Sequence, residues 1–297
     1  SLFSLLPSTT ILLSKSSFFP LGTLFVVLQL KRSKPNRINN NIFVELGFKD
    51  CDIYKFKNTL FMVSKNQIKL ITGLHLKKNR LANQLFLAEG VKVIQELLQS
   101  NFVLEHLYAT EESFSSFSIN NKSLVSEGEM KKITALSTAS SCLAIFHIPK
   151  QGLVSSTGLI VALDDIRDPG NLGTIIRLCD WFGIEQIVCS KETVDLYNPK
   201  VVQATMGSIA RVKLNYLDLE KFISETTLPV FGTFMDGLNI YEEKLPNEGI
   251  IILGNEANGI SKSIEKLVKN RIAIPRFGNL QKTESLNVAT ATAIFLS

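Results

Sequence analysis

The stretch LDDIRDPGNLGTIIRLCDWFG, residues 163–183, changes character twice along its length. It leaves an apolar segment, breaks at Asp168-Pro169-Gly170, and resumes with apolar residues in a helical pattern. A strand that runs through a polar turn into a helix is the unit from which parallel α/β sheets are built. Ligands of such sheets bind beyond the carboxyl ends of the strands, so this turn is a candidate site.

The helix after the turn has a clear apolar face and a polar one. The apolar face has the spacing i, i+3, i+4 and i+7, at Leu172, Ile175, Ile176 and Cys179. At 100° per residue, Arg177 points roughly 150° away from that face. Asn171 lies where the helix is expected to begin, with free backbone N–H groups that suit an anion. A helix cap at Asn171 and a surface charge at Arg177 explain these residues equally well.

Two further strand exits carry unusual residues. In IIILGNEANGIS, residues 250–261, Glu256 comes directly after an apolar strand, where it can bind a sugar or an arginine, or lie in a surface turn. In residues 274–297, a loop leads to Ser285-Leu286-Asn287 and then to a helix rich in Ala and Thr. Because its side chains are small, this helix can pack closely against another chain, a threaded loop or the core.

Apolar segments alternate with helical ones over residues 157–297. Six of them are rich in Ile, Val and Leu: GLIVALDD, EQIVCS, RVKLNY, PVFGTF, GIIILGN and RIAIP. Continuous apolar runs are typical of strands buried on both faces. The pattern predicts an α/β fold with a mostly parallel sheet between helices.

Residues 62–150 are predicted to form a smaller α/β unit. Strands are expected at QLFLAE, FVLEHLYA and CLAIFHI, and helices at GVKVIQELLQS and GEMKKITAL. Lys77, Lys78 and Arg80 belong to a run that contains no acidic residue. This run is either a solvated helix face or a patch that contacts nucleic-acid phosphates, and the sequence leaves both open.

Composition narrows the class of protein. The 297 residues are enough for one large domain or two smaller ones, and a 45% hydrophobic share is typical of globular proteins. Five Lys and Arg within residues 1–44, which contain no acid, account for the formal charge of +5. The rest of the chain is neutral, so net charge does not indicate a nucleic-acid partner. Four cysteines without C-x-x-C spacing and three scattered histidines predict free thiols in a reducing, cytoplasmic compartment and no metal site.

Residues 1–61 differ from the rest and have two interpretations. The apolar stretch Phe18–Leu30 is shorter than the ~20 residues of a membrane-spanning helix, so no membrane partner is predicted. The abundance of Ser and the early lack of acids fit an organellar transit peptide. A translated leader upstream of Met62, where a coherent amphipathic pattern begins, is the favoured interpretation.

Taken together, the three strand exits resemble the SpoU (TrmH-like) branch of the SPOUT RNA methyltransferases. The family's motifs read here as Asp168-Pro-Gly-Asn171-Leu-Gly173 with Arg177, then Leu253-Gly254-Asn255-Glu256 with Gly259, then Ile274-Pro275 and Ser285-Leu286-Asn287. The segment ATMGSIARV from Ala204 is also similar to the family. The resemblance covers residues 157–297 strongly and 64–150 more weakly, where KKNRLANQLFLAEGVKVI resembles a ribosomal-protein-like RNA-recruiting domain.

The resemblance implies an RNA-binding domain at residues 62–150 and a methyltransferase domain at residues 151–297. It implies a trefoil knot in the C-terminal sheet, a homodimer, and S-adenosylmethionine bound in the knotted loops. The residues expected around the cofactor are Thr233, Gly254, Asn255, Ile274 and Leu286. Lys77, Lys78 and Arg80 are expected to contact RNA.

The implied reaction is methyl transfer to a ribose 2′-hydroxyl in structured RNA, with ribosomal RNA favoured and transfer RNA the alternative. Arg177 would hold the adjoining phosphate and polarise the hydroxyl; whether it also accepts the proton stays open, since arginine is normally always protonated. Asn171 would place Arg177 or the ribose, and Glu256 would orient the arginine. Ser285 and Asn287 would complete the site.

Two alternatives and one departure accompany this interpretation. A non-catalytic RNA-binding protein that keeps the fold is the main alternative. A Rossmann-type nucleotide enzyme is disfavoured because no glycine fingerprint follows the first strand. The loop between Ile274 and Ser285 is longer than usual for the family and carries Arg276, which predicts a variant lid over the cofactor.

Overall fold

The computed structural model describes residues 10–12, 27–29, 63–150, 152, 154, 157–280 and 285–297. Within the first unit, Ser1–Thr59, strands β1 (Thr10–Leu12) and β2 (Val27–Gln29) pair antiparallel. The remainder of the expected leader and residues 281–284 of the expected lid lie outside the described residues. Leu60–Ser297 form a second compact unit that contains two sheets. Across the described part of the chain, no helix combines the length and the apolar character needed to span a bilayer.

The N-terminal domain, residues 63–150, is built on a four-stranded mixed sheet in the order β3-β6-β4-β5. Strands β4 and β5 are parallel, and the other pairs are antiparallel. The elements are α1 (Lys65–Gly73), α2 (Lys77–Asn83), β3 (Leu85–Glu89), α3 (Val91–Leu98), β4 (Leu104–Ala109), α4 (Glu111–Phe114), β5 (Lys122–Leu124), α5 (Glu127–Ile133) and β6 (Cys142–His147). The three predicted strands and two predicted helices are confirmed. The short elements α2, α4 and β5 lack the periodic spacing of apolar residues from which a helix or strand can be predicted.

The C-terminal domain, residues 157–297, contains a six-stranded sheet in the order β12-β10-β11-β7-β8-β9. Every neighbouring pair in it is parallel, which confirms the predicted α/β architecture. The elements are β7 (Leu159–Leu163), α6 (Pro169–Trp181), β8 (Gln186–Cys189), α7 (Pro199–Thr205), a 3₁₀ turn (Ser208–Ala210), β9 (Lys213–Tyr216), α8 (Leu219–Glu225), β10 (Val230–Asn239), β11 (Gly249–Leu253), α9 (Lys262–Glu265), β12 (Asn270–Ala273) and α10 (Val288–Leu296).

Each face of the six-stranded sheet buries its own set of apolar side chains. Val161 and Leu163 of β7 point into the core shared with α6, α7 and α10. Ile160 and Ala162 of the same strand point into the core formed with α8 and α9. This alternation follows from the two-residue period of a strand. Because all six strands run parallel, their carboxyl ends lie along one edge of the sheet, where the polar motifs also lie.

The two domains share one hydrophobic core. Phe86 of β3 and Tyr197 of the C-terminal domain have ring centroids 4.7 Å apart, and both pack into the core around α6. The N-terminal domain is therefore packed directly against the C-terminal sheet and its helices. Within the C-terminal domain, helices α6 and α7 also approach closely, since a Cβ added at Gly173 would lie 2.4 Å from the Ala204 Cβ.

Three of the cysteines are unpaired and buried: Cys142, Cys179 and Cys189. Burial raises the pKa of the Cys142 thiol to about 11 and that of Cys179 to about 12. Both thiols are therefore protonated and poorly nucleophilic at neutral pH. Cys51 lies outside the described residues, within which His, Cys, Asp and Glu form no group suited to a metal ion.

Candidate active site

The exit of strand β7 is fixed by hydrogen bonds to two neighbouring exits. The carboxylate of Asp164, which is 5% exposed, accepts a hydrogen bond from the Ser261 backbone N at 2.7 Å. Asp165 has a left-handed φ of 57°, and its backbone N donates to Ser190 Oγ at 2.9 Å. The turn that carries the first motif is therefore tied both to the exit of β8 and to the loop after β11.

Helix α6 begins earlier than the sequence interpretation placed it. Asp168 is the N-cap, since its carboxylate accepts a hydrogen bond from the Asn171 backbone N at 2.8 Å, and Pro169 is the first helical residue. The expectation that Asn171 starts the helix with a free N–H for an anion is therefore wrong. An Asp followed by Pro is a known start signal for helices, and it was present in the sequence.

The side chain of Asn171 joins all three sequence motifs. Its Nδ2 donates to Glu256 Oε1 at 2.8 Å, and its Oδ1 accepts from Asn287 Nδ2 at 2.9 Å. The Oδ1 of Asn287 caps α10 by accepting from the backbone N of Ala289 and Thr290 at 3.0 and 3.2 Å. We call Glu256, Asn171 and Asn287 the amide bridge. It brings together residues from three separate strand exits, as the sequence interpretation expected.

Arg177 lies on the exposed side of α6, as predicted. The four residues of the predicted apolar face are at most 1% exposed. Within the described ranges, Arg177 forms no ion pair, and the expected contact with Glu256 is absent because Glu256 binds Asn171 instead. The donors of this guanidinium thus face away from the protein interior.

The loop after β11 is very tightly folded around Gly254 and Asn255. A Cβ added at Gly254 would lie 2.2 Å from the backbone of Gly259 and of Ile260. Asn255 and Gly259 exchange two backbone hydrogen bonds, of 3.0 and 2.9 Å. Asn255 Nδ2 donates to the Asp165 carbonyl at 2.8 Å. Asn255 therefore shapes the loop and holds it against the exit of β7.

The other residues expected near a cofactor lie at adjacent exits. β10 is flanked by β12 and β11, so Thr233, within β10, lies between the strands whose exits carry Ile274 and Gly254. Thr233 Oγ1 donates to the Ile252 carbonyl at 3.0 Å, while Ile274 is half-buried. Leu286 is 48% exposed, and Ser285 beside it is exposed.

Strand β10 contains an irregularity that the sequence did not indicate. Thr233 and Leu238 both pair with Ile272, so the four residues between them loop out of the ladder. Arg271 holds this loop: it donates to Asp236 Oδ1 at 2.6 Å and lies 3.6 Å from the Phe234 ring centroid. The hydrogen bond from Arg271 lowers the pKa of Asp236.

The basic run of the N-terminal domain divides into two parts. Lys77 and Lys78 are exposed, whereas Arg80 is 2% exposed. The Arg80 guanidinium binds Asp195 and backbone carbonyls, so the expectation that it belongs to the exposed patch is wrong. Helical spacing alone cannot distinguish an exposed cation from one that points into a domain boundary.

Comparison with known proteins gives a family match for each of the two domains. Residues 158–297 match the SpoU rRNA Methylase family, and residues 65–144 match the MRM3-like substrate binding domain. A solved structure of a TrmH-family protein from Porphyromonas gingivalis is 36% identical, with a TM-score of 0.72. The match covers 80% of this chain and 97% of that one. The chain belongs to the SpoU rRNA methylase family.

Two further relatives of this SpoU family member are similar over nearly their whole length. The 23S rRNA (guanosine(2553)-2'-O)-methyltransferase RlmP of Bacillus subtilis is 28% identical over 241 residues, which are 78% of this chain and 96% of RlmP. An AdoMet-bound rRNA methyltransferase from Sinorhizobium meliloti is 26% identical with a TM-score of 0.71. That match covers 80% of this chain and 95% of the other.

Proposed function

We propose that this protein methylates the 2′-hydroxyl of one ribose in ribosomal RNA, and that the target nucleotide is a guanosine. Dependence on S-adenosylmethionine and 2′-O-methyl transfer follow from membership of the SpoU family. The guanosine target is supported by the similarity to RlmP, whose name states that specificity. The observation that carries the proposal is the amide bridge, which joins three motifs at one corner of the sheet. The earlier alternatives, transfer RNA as substrate and a non-catalytic RNA-binding protein, have less support.

The strand exits fit S-adenosylmethionine. Ile274 and Leu286 offer partly exposed apolar surface beside the exits, which suits an adenine ring. Gly254 lets the loop after β11 fold closely enough to present its backbone to a ligand. When bound, S-adenosylmethionine supplies the methyl group as an activated sulfonium. We propose that its pocket is formed by Ile274, Leu286, Gly254, Asn255 and Thr233. Asn255 and Thr233 contribute by fixing the backbone around the pocket.

Arg177 acts on the RNA side of this corner. Because a guanidinium presents several N–H donors and no acceptor, Arg177 serves as a donor to the phosphate beside the target ribose and polarises the 2′-hydroxyl. Held by Ile274, Leu286 and Gly254, S-adenosylmethionine would supply the methyl carbon to the 2′-hydroxyl oxygen and would leave as the neutral thioether S-adenosylhomocysteine, while the hydroxyl proton would pass to solvent water. Alignment of oxygen, carbon and sulfur is the main contribution that a binding site makes to such a transfer.

The amide bridge keeps this corner rigid. Asn171 is held from both sides, so two hydrogen bonds oppose rotation of α6 relative to the loops that carry Glu256 and Asn287. We propose that Asn171 positions the ribose and that Glu256 acts through Asn171. Ser285, exposed beside Asn287, completes the wall toward the RNA.

Asn171→Asp places a second carboxylate against Glu256, and we expect kcat/KM for RNA to fall about tenfold to a hundredfold at pH 8. Asn171→Ala removes the contact with Glu256 but adds no carboxylate, so it should lose less activity than Asn171→Asp. Equal losses of kcat/KM in the two variants would contradict the assigned contact with Glu256.

We propose that Lys77 and Lys78 bind RNA phosphates, whereas Arg80 does not. Reversal of both charges, Lys77→Glu with Lys78→Glu, should weaken RNA binding at least tenfold and reduce the slope of log K against log salt by about 1.5. The matched control is Lys131→Glu with Lys132→Glu, which makes the same charge change at exposed positions of α5. Equal effects of the two double variants on affinity and slope would show that the patch is only a solvated surface.

For the finer architecture we propose a trefoil knot and a homodimer. The return of Asn287 to α6, after the loop between Ile274 and Ser285, supports a threaded C-terminal segment. Exposed apolar side chains near the exits of β10 and β12 support a dimer; they are Met235, Leu238, Tyr241, Phe277 and Leu280. Light scattering on the purified chain should give twice the monomer mass.

For the cellular compartment, we propose a reducing cytoplasm, which the three buried unpaired thiols support.

The cellular test maps ribose positions that resist alkali in ribosomal RNA from cells with and without this protein. We expect one guanosine to lose its resistance when the protein is absent. Unchanged maps of ribosomal RNA, with a change in transfer RNA, would overturn the proposed substrate but not the proposed chemistry.

A further inference from the structure

Arg80 is a buried arginine that connects the two domains. Its side chain is 3% exposed and that of Asp195 is 13% exposed. Arg80 Nη2 and Nε lie 2.5 and 3.0 Å from Asp195 Oδ2. Arg80 Nη1 donates to the carbonyls of Leu74 and His75, each at 2.9 Å. A buried charge is costly unless it is fully bonded, and the planar fork of arginine fixes the geometry of such a contact.

Asp195 is held firmly by its neighbours along the chain. The Val194 backbone N donates to the Ile166 carbonyl at 2.8 Å. The Tyr216 hydroxyl donates to the Val194 carbonyl at 2.6 Å and accepts from the Leu196 backbone N at 2.7 Å. The carboxylate that receives Arg80 therefore belongs to a segment, residues 193–196, whose backbone is anchored at Val194 and Leu196 on either side of it.

Residues 193–196 are in turn bonded to the exit of β7. Thr193 Oγ1 accepts from the Ile166 backbone N at 3.3 Å, and Ser190 Oγ accepts from the Asp165 backbone N at 2.9 Å. Asp168, shortly after these residues, caps α6. Hydrogen bonds joined by short stretches of backbone thus lead from the N-terminal domain to the helix that carries Asn171.

The exposed lysines lie next to this connection. Lys77 Nζ is 6.0 Å from the centroid of the Tyr216 ring, at the carboxyl end of β9. Strands β9, β8 and β7 are neighbours in the sheet, so the lysines and the amide bridge lie along the same edge. The Arg80–Asp195 contact lies between these lysines and the C-terminal domain that carries the amide bridge.

We propose that Arg80 and Asp195 are positioning residues that set the distance between the RNA-binding lysines and the amide bridge. Together they determine which ribose of a bound RNA reaches the methyl donor. This inference rests on the proposed function, since it assigns the choice of target within the same reaction. Arg80 itself touches neither RNA nor cofactor.

The test uses the full chain with Arg80→Met and Asp195→Leu together, because an apolar pair of similar size often replaces a buried ion pair without loss of stability. The variant and the wild type are incubated with S-adenosylmethionine and ribosomal RNA from cells that lack the protein, and the methylated riboses are mapped. We expect the share of methyl groups on the wild-type nucleotide to fall at least threefold, with the remainder on nearby riboses. The affinity for S-adenosylmethionine should stay within twofold of the wild type.

A second variant and a control separate positioning from folding. Tyr216→Phe keeps the ring but removes the hydroxyl that anchors Val194 and Leu196, so it should shift the target distribution in the same direction even if the double variant does not fold. Glu96→Gln alters another ion pair between the domains, where Arg211 Nη1 lies 2.5 Å from Glu96 Oε2. That contact does not involve residues 193–196, so the methylated position should not change.

The outcomes distinguish this inference from the proposed function. If the wild type methylates one ribose and the folded variants methylate only that ribose, the positioning role is wrong and the proposed function stands. If the wild type methylates no ribose, the proposed function fails and this inference fails with it.

Discussion

Arg177→Ala is expected to lower kcat/KM for RNA about a thousandfold while the Kd for S-adenosylmethionine changes less than twofold. The guanidinium lies on the exposed side of α6 and, among the described residues, has no protein partner, so its loss removes the proposed contact to RNA and little else. Removing one preorganised donor from a reacting centre costs about 3–4 kcal/mol, which corresponds to this factor. Single-turnover methyl transfer and calorimetry on the same preparation measure the two quantities.

Two variants serve as controls for Arg177. Arg177→Lys keeps the charge but not the two-pronged donor, so its activity should lie between the wild type and Arg177→Ala. Lys221→Ala removes an exposed cation from α8, on the other side of the sheet, and should leave turnover unchanged. Turnover of Arg177→Ala within threefold of the wild type at saturating RNA would remove Arg177 from the reaction.

Gly254→Ala is expected to weaken S-adenosylmethionine binding at least a hundredfold and to destabilise the fold by about 2 kcal/mol. The added Cβ would lie 2.2 Å from two backbone atoms, the Gly259 carbonyl carbon and the Ile260 nitrogen, so the turn itself must move. That movement breaks the pairing of Asn255 with Gly259 and displaces Glu256 from Asn171. Calorimetry and thermal unfolding test the two effects separately.

The control for this substitution is Gly128→Ala in α5. The nearest atom to a Cβ added there is Ser126 Oγ at 4.0 Å, so neither stability nor cofactor affinity should fall. Wild-type affinity in Gly254→Ala would mean that the loop after β11 does not form the pocket.

Local patterns predicted the architecture well because they report directly on burial. The apolar run of β7 and the apolar face of α6 each follow a period that one segment determines alone. The parallel sheet followed from continuous runs of Ile, Val and Leu, since only strands covered on both faces show them. The grouping of Asn171, Glu256 and Asn287 was also expected, because carboxyl ends of parallel strands share one edge.

Contacts between distant segments could not be predicted in the same way. Nothing around Arg80 in the sequence indicates Asp195, which lies 115 residues away. The loop in β10 depends on pairing with β12 and on Arg271, and neither changes the period of the strand itself. The family resemblance pairs Glu256 with Arg177, whereas the structure pairs it with Asn171, whose orientation depends on the start of α6 at Asp168.

The most direct measurement uses the purified chain, S-adenosylmethionine with a labelled methyl group, and ribosomal RNA from cells that lack the protein. After alkaline hydrolysis, the account predicts label in a dinucleotide that resists cleavage, from a single guanosine position. Label on a base, or no transfer to RNA despite tight binding of S-adenosylmethionine, would contradict it.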